Sequence, residues 1–67
     1  MIKLKFDTYN HNLEFTYEGE TTYYENVMTI KVHEDCYQVL QRQESTGKNA
    51  PLLKLPIDKT IVEYVHE

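Results

Sequence analysis

Apolar and polar residues alternate from the first positions of the chain: Ile2, Leu4 and Phe6 against Lys3, Lys5 and Asp7. A period of two marks a strand with one face buried. The polar stretch "DTYNHN" reads as a turn, and alternation then resumes with Leu13, Phe15 and Tyr17 against Glu14, Thr16 and Glu18. Two such runs joined by a loop of this length predict a hairpin. In "EGE", a two-residue turn at Gly19-Glu20 would be type II′, with glycine at its first position. That register sets Phe15 opposite Tyr24 and Tyr17 opposite Thr22. Steps of two then reach Tyr24, Asn26, Met28, Ile30 and Val32, which predicts one long strand bent at Asn26. Its other face carries Tyr23, Glu25, Val27, Thr29, Lys31 and His33.

The stretch "HEDC", residues 33 to 36, extends the same pattern. A two-residue turn at Glu34-Asp35 puts Val32 opposite Tyr37 and Ile30 opposite Val39, all four facing the core, with His33 and Cys36 paired on the outer side. A competing reading has Asp35 capping a short helix over about residues 36–46, stopped by Gly47. "ESTGKNAP" is a loop by its content of turn formers. "LLKL", a turn at "PIDK" and the β-branched "TIVEYV" complete the chain. The expected fold is all-β, a single small domain over residues 1–67. Five or six antiparallel strands follow sequence order as a meander or small open barrel, since closure hides strand edges. In strand count and spacing it resembles an SH3-like barrel. The alternative is an α+β domain containing the one short helix.

Composition narrows the setting. A chain of 67 residues buries only about 60% of its unfolded surface, and its single cysteine cannot form an internal disulfide. With no leader read at its start and no long apolar run, a reducing, cytoplasmic location without membrane association is expected. The formal net charge of -4, with eleven acidic residues against seven basic, opposes direct binding of a phosphate backbone. Six tyrosines suit strands first and a binding surface second.

The chemistry-bearing types in "HEDC" are incomplete as a site. Zinc takes about four ligands, and beyond His33 and Cys36 there remain only His11 in a loop and His66 near the C-terminus. A nucleophilic cysteine needs a base and an oxyanion hole inside a cleft, whereas a hairpin tip is open, and Glu34 and Asp35 would disfavour the thiolate. The carboxylates fall on turns and outer faces, and the two glycines are too far apart for a phosphate loop. No catalytic residue, metal ligand or cofactor is therefore assigned, and the protein is expected not to be an enzyme.

Binding is what remains. The densest feature, residues 17 to 27, gathers Tyr17, Glu18, Glu20, Tyr23 and Glu25 about a hairpin tip. Aromatic anchors amid carboxylates suit a basic partner protein, such as a nucleic-acid enzyme. Stand-alone acidic β proteins of this size resemble, in general character, regulators and inhibitors made by phages and mobile elements in bacteria. Two other readings stay open. In one, Tyr9, Tyr23 and Tyr64 stack on single-stranded nucleic acid or a small ligand, beside the outward lysines Lys3, Lys5, Lys31 and Lys54. In the other, outward Val27, Leu40 and Leu52 or Leu53 make the chain an assembly subunit, with weak self-association.

Overall fold

The computed structural model describes residues 1–65; His66, named above as a possible ligand, lies outside the described residues. Seven strands form: β1 (Ile2–Asp7), β2 (Asn12–Tyr17), β3 (Glu20–Tyr24), β4 (Val27–Val32), β5 (Cys36–Arg42), β6 (Asn49–Pro56) and β7 (Thr60–Val65). They make a four-stranded sheet in the order β3-β2-β1-β7 and a three-stranded sheet in the order β4-β5-β6. The all-β expectation holds, and residues 36–42 are strand, so the helical alternative does not form. Strand order departs from the simple antiparallel meander, because β7 returns to pair with β1 in parallel, Leu4 beside Val62 and Phe6 beside Tyr64. Alternation reports which face of a strand is buried but not which neighbour it pairs with.

The core lies between the sheets. Leu4, Phe6 and Leu13 from the first sheet meet Val27, Ile30, Val39 and Leu55 from the second, with Ile2, Phe15, Tyr24, Tyr37 and Val62 packed around them. Two corners join the layers. At one, Asn26 takes a left-handed φ of 58°, its carbonyl accepts Arg42 N–H at 2.9 Å, and the chain passes from β3 to β4. The predicted bend is thus placed correctly, but it changes sheets and does not bend one strand. At the other corner a 3-10 turn, Ile57–Lys59, links β6 to β7, and the Thr60 hydroxyl donates to the Pro56 carbonyl at 2.7 Å.

Two bulges lie at the same level of β5. Between Val27 and Thr29, β4 advances two residues while β5 advances one. Beside Val39 and Leu40, β6 skips Leu52 in the same way. Each extra residue reverses the inside-outside phase of its strand. Val27, expected outward, faces inward after the change of sheets and is fully buried. The bulge then restores the expected phase, so Ile30 is buried, while Val32 on the same face lies past the core at the end of β4 and is 63% exposed.

The β1–β2 loop is shaped by its first residue. The Asp7 carboxylate accepts the backbone N–H of Tyr9 at 2.9 Å and of Asn10 at 3.0 Å, and the Asn10 side-chain amide at 2.9 Å. The bonds from Asn10, backbone first and side chain second, hold the Asp7 carboxyl below the usual carboxylate range. His11, at φ 60°, closes the loop, and its carbonyl accepts Val27 N–H at 2.9 Å. The first hairpin is thereby fastened to the start of β4.

Candidate functional site

The acidic hairpin turns one residue earlier than expected. Glu18 and Gly19 have φ values of 50° and 82°, the pair of left-handed residues that defines a type I′ turn. Tyr17 therefore lies opposite Glu20, Phe15 opposite Thr22 and Leu13 opposite Tyr24. Relative to the expected register the partners shift by two, so every side chain keeps its expected face. Type I′ matches the right-handed twist of the flanking strands, and glycine, which adopts φ > 0 without steric cost, fills its second position.

The five site residues run from the end of β2 through the turn and β3 to the corner that follows. Tyr17, Glu18 and Glu20 cluster at the tip, with Tyr17 48% exposed. Tyr23, 70% exposed, points from the opposite face of the sheet, and Glu25 follows at the corner, where its carbonyl accepts the Gln41 amide at 2.8 Å. The structure thus brings three of the five together and sets the other two farther along the same edge. Glu18, Glu20 and Glu25 are exposed and form no ion pair among the described residues.

The outer face of the four-stranded sheet adds residues that the sequence reading missed. Cross-strand pairing aligns Tyr23, Glu14, Lys5 and Glu63 in one row. A shallow depression of about 390 Å³ lies there, lined by Tyr23, Glu14, Lys5, Asp7, Asn12 and Val65. The hairpin register carries the signal for Glu14, since opposite residues share a face. In the next row the Thr16 and Thr21 hydroxyls bond at 2.9 Å, and Lys3 holds Glu63 at 3.3 Å.

Charge divides between the layers. The strands and turns of the three-stranded sheet carry Lys31, Arg42, Lys48 and Lys54 against Glu34, Asp35 and Glu44, with no carboxylate on the strands themselves. Lys31 and Lys54 flank Gln38 in one row. The strands and turns of the other sheet carry Asp7, Glu14, Glu18, Glu20, Glu25 and Glu63 against Lys3 and Lys5.

At "HEDC" the expected two-residue turn is present: Val32 faces Tyr37, Ile30 faces Val39, and His33 N–H donates to the Cys36 carbonyl at 2.8 Å. Cys36 is not an outward partner for the imidazole, however. It pairs with Pro56, the adjoining Asp35 carbonyl binds Ile57 N–H at 3.1 Å, and Cys36 is only 7% exposed. The His33 Nε2 instead lies 3.0 Å from Gln38 Oε1. No group of three or more His, Cys, Asp or Glu residues among the described residues could hold a metal ion. Thiol labelling checks the burial: Cys36 should react with an aromatic disulfide reagent at least about 100-fold more slowly in the native protein than in urea, because access requires opening of the β5–β6 end.

The tyrosines of the stacking reading are dispersed. Tyr9 sits in the β1–β2 loop, Tyr23 on the sheet's outer face, and Tyr64 against Phe6 with ring centroids 6.1 Å apart. The apolar residues named for assembly are not an outward surface either, since Val27 and Leu40 are buried and Leu52 and Leu53 pack on the core. No helix among the described residues is long and apolar enough to cross a membrane. No family model matches the chain, and no curated protein or solved structure matches it.

Proposed function

We propose that the protein is a non-enzymatic, cytoplasmic interaction domain that uses the β2–β3 hairpin to dock a basic partner protein. As a regulator or inhibitor of the kind phages and mobile elements produce, it would act by occupying a cationic surface of its target, such as the nucleic-acid channel of an enzyme. One observation carries this reading: Glu18, Glu20 and Glu25 stand exposed, with no ion pair among the described residues, at the tip and along the open edge of a hairpin that also bears Tyr17 and Tyr23. Segregation of charge supports it, because the local field at the hairpin is more negative than a net charge of -4 spread evenly would give.

The conformation of Glu18 adds support. Asparagine, aspartate and glycine are favoured at the first position of a type I′ turn, and a glutamate held at φ 50° costs on the order of 1 kcal/mol. The fold gains nothing from a longer carboxylate there, and departures from local preference are expected at functional positions.

The test is a variant carrying Glu18→Asn, Glu20→Gln and Glu25→Gln. The first change suits the turn, so the variant should fold at least as well as the native chain. Affinity capture from a bacterial lysate should recover a basic protein on the native chain, released as salt is raised. Capture by the variant should fall at least about tenfold, with a flatter salt dependence. Equal capture by both forms, or an electrophoretic shift of single-stranded DNA by the native chain at low salt, would overturn the proposal.

A further inference from the structure

We infer that β3 receives an extended, lysine- or arginine-bearing segment of the partner as an added strand, so that the four-stranded sheet gains a fifth. This rests on the acidic docking reading above and supplies its mode of binding.

The register identifies the free groups. In a hairpin closed by a two-residue turn, the flanking pair Tyr17 and Glu20 exchanges both backbone hydrogen bonds, and every second pair after it does the same. Phe15 with Thr22 and Leu13 with Tyr24 are therefore the bonded pairs. Thr21 and Tyr23 fall between them and direct their N–H and C=O groups away from β2, where no other backbone group among the described residues meets them. The result is a short ladder edge with its donors and acceptors facing solvent, the template that strand addition uses.

Edges are normally blunted by bulges, proline or lysine, and the second sheet is blunted in this way. β4 carries the bulge at Met28, and β6 carries Pro51, Pro56 and the bulge at Leu52. β3 has none of these features. Its register is unbroken from Glu20 to Tyr24, and residues 20 to 23 are all exposed. β7, the other edge of the same sheet, has a single carboxylate, Glu63, already held by Lys3 at 3.3 Å.

Charge complementarity selects the occupant. Glu18, Glu20 and Glu25 punctuate the β3 edge without cationic partners among the described residues, so an incoming strand with basic residues beside Glu20 and Glu25 relieves their mutual repulsion. A second copy of this chain would instead set the glutamates of both copies along one ladder, which disfavours self-pairing. The incoming residue beside Tyr23 lies at the lip of the depression that contains Glu14. A lysine or arginine there can cross the tyrosine face toward that carboxylate, combining a cation–π contact with charge pairing.

The probe is a blocked peptide of alternating lysine and valine, added to isotopically labelled protein and followed by amide hydrogen exchange in NMR. The Thr21 and Tyr23 amides should exchange fast in the free protein and at least about tenfold more slowly at saturating, millimolar peptide. The same peptide with alternate backbone amides methylated keeps its charge and should not bind. Thr21→Pro removes an N–H that points to solvent, a change an edge strand accommodates, and it should weaken peptide binding at least about tenfold. Should that variant fail to fold, the methylated peptide still decides the matter on the native chain. Equal binding of the methylated peptide would overturn strand addition while leaving acidic docking standing. Protection on β7 in place of β3 would overturn it as well, as would absence of binding at millimolar peptide. The acidic docking reading is judged separately, by capture with the glutamate variant.

Discussion

Leu4→Ala should cost about 3 to 4 kcal/mol, at least about a third of the total stability of the chain. Leu4 is fully buried at the middle of β1, between Phe15 on β2 and Val62 on β7. It is among the residues where the two sheets meet. Removing three carbons there loses their transfer free energy and leaves a cavity that two ladder-bonded neighbours cannot readily collapse, which places the cost in the middle of the observed leucine-to-alanine range. A chain of this length has a total stability of roughly 3 to 10 kcal/mol at ordinary values per residue. With no tryptophan in the chain, tyrosine fluorescence and far-ultraviolet circular dichroism are the suitable probes. At a urea slope of about 1 kcal/mol per molar, the midpoint should fall by about 3 M or disappear into the baseline. A loss under about 1 kcal/mol would mean that β1 is not the central strand of the sandwich.

The same prediction follows from sequence alone only in part. Alternation in Ile2, Leu4, Phe6 and in Leu13, Phe15, Tyr17 is enough to place Leu4, Phe6 and Leu13 inside, because a period of two translates directly into a buried face. It cannot show that β7 lies on the other side of β1, since "TIVEYV" has an apolar residue at enough positions to pair with several neighbours. The turn at Glu34-Asp35 was legible because a two-residue length keeps Ile30 and Val39 on one face, whereas a turn one residue longer would have sent Val39 to the other. The turn at Glu18-Gly19 was less so: a shift by two keeps every face, and only the φ values separate the alternatives. Cys36 was misplaced for a different reason. Parity sends it outward, but burial on the outer side of β5 depends on the distant Pro56 and the 3-10 turn after it. At the candidate site, the tyrosines and glutamates were legible as a local cluster. Their division between the two faces of β3, and the addition of Glu14 from β2, required the register.

Val27 and Val32 provide the sharpest contrast between a simple alternating strand and the observed one. Steps of two from Tyr24 put Val32 in the core and Val27 on the surface, whereas the sheet-changing corner at Asn26 turns Val27 inward, the bulge at Met28 returns Ile30 to the inside, and Val32, on the face of Ile30, runs past the end of the core. Val27 is wholly buried and Val32 is 63% exposed. Val27→Asn should therefore cost about 3 to 5 kcal/mol, from lost apolar burial of about 1.5 to 3 kcal/mol together with burial of an amide that has no arranged partner. Val32→Asn should change stability by no more than about 0.5 kcal/mol, as for a surface position away from special features. The two substitutions are chemically identical, so β-propensity and the unfolded chain respond alike, and the difference between them isolates position. Urea unfolding of both variants beside the native chain measures it. Equal costs, or a larger cost at Val32, would mean that β4 continues β3 as one strand, with Val27 outward and the core reaching the end of β4.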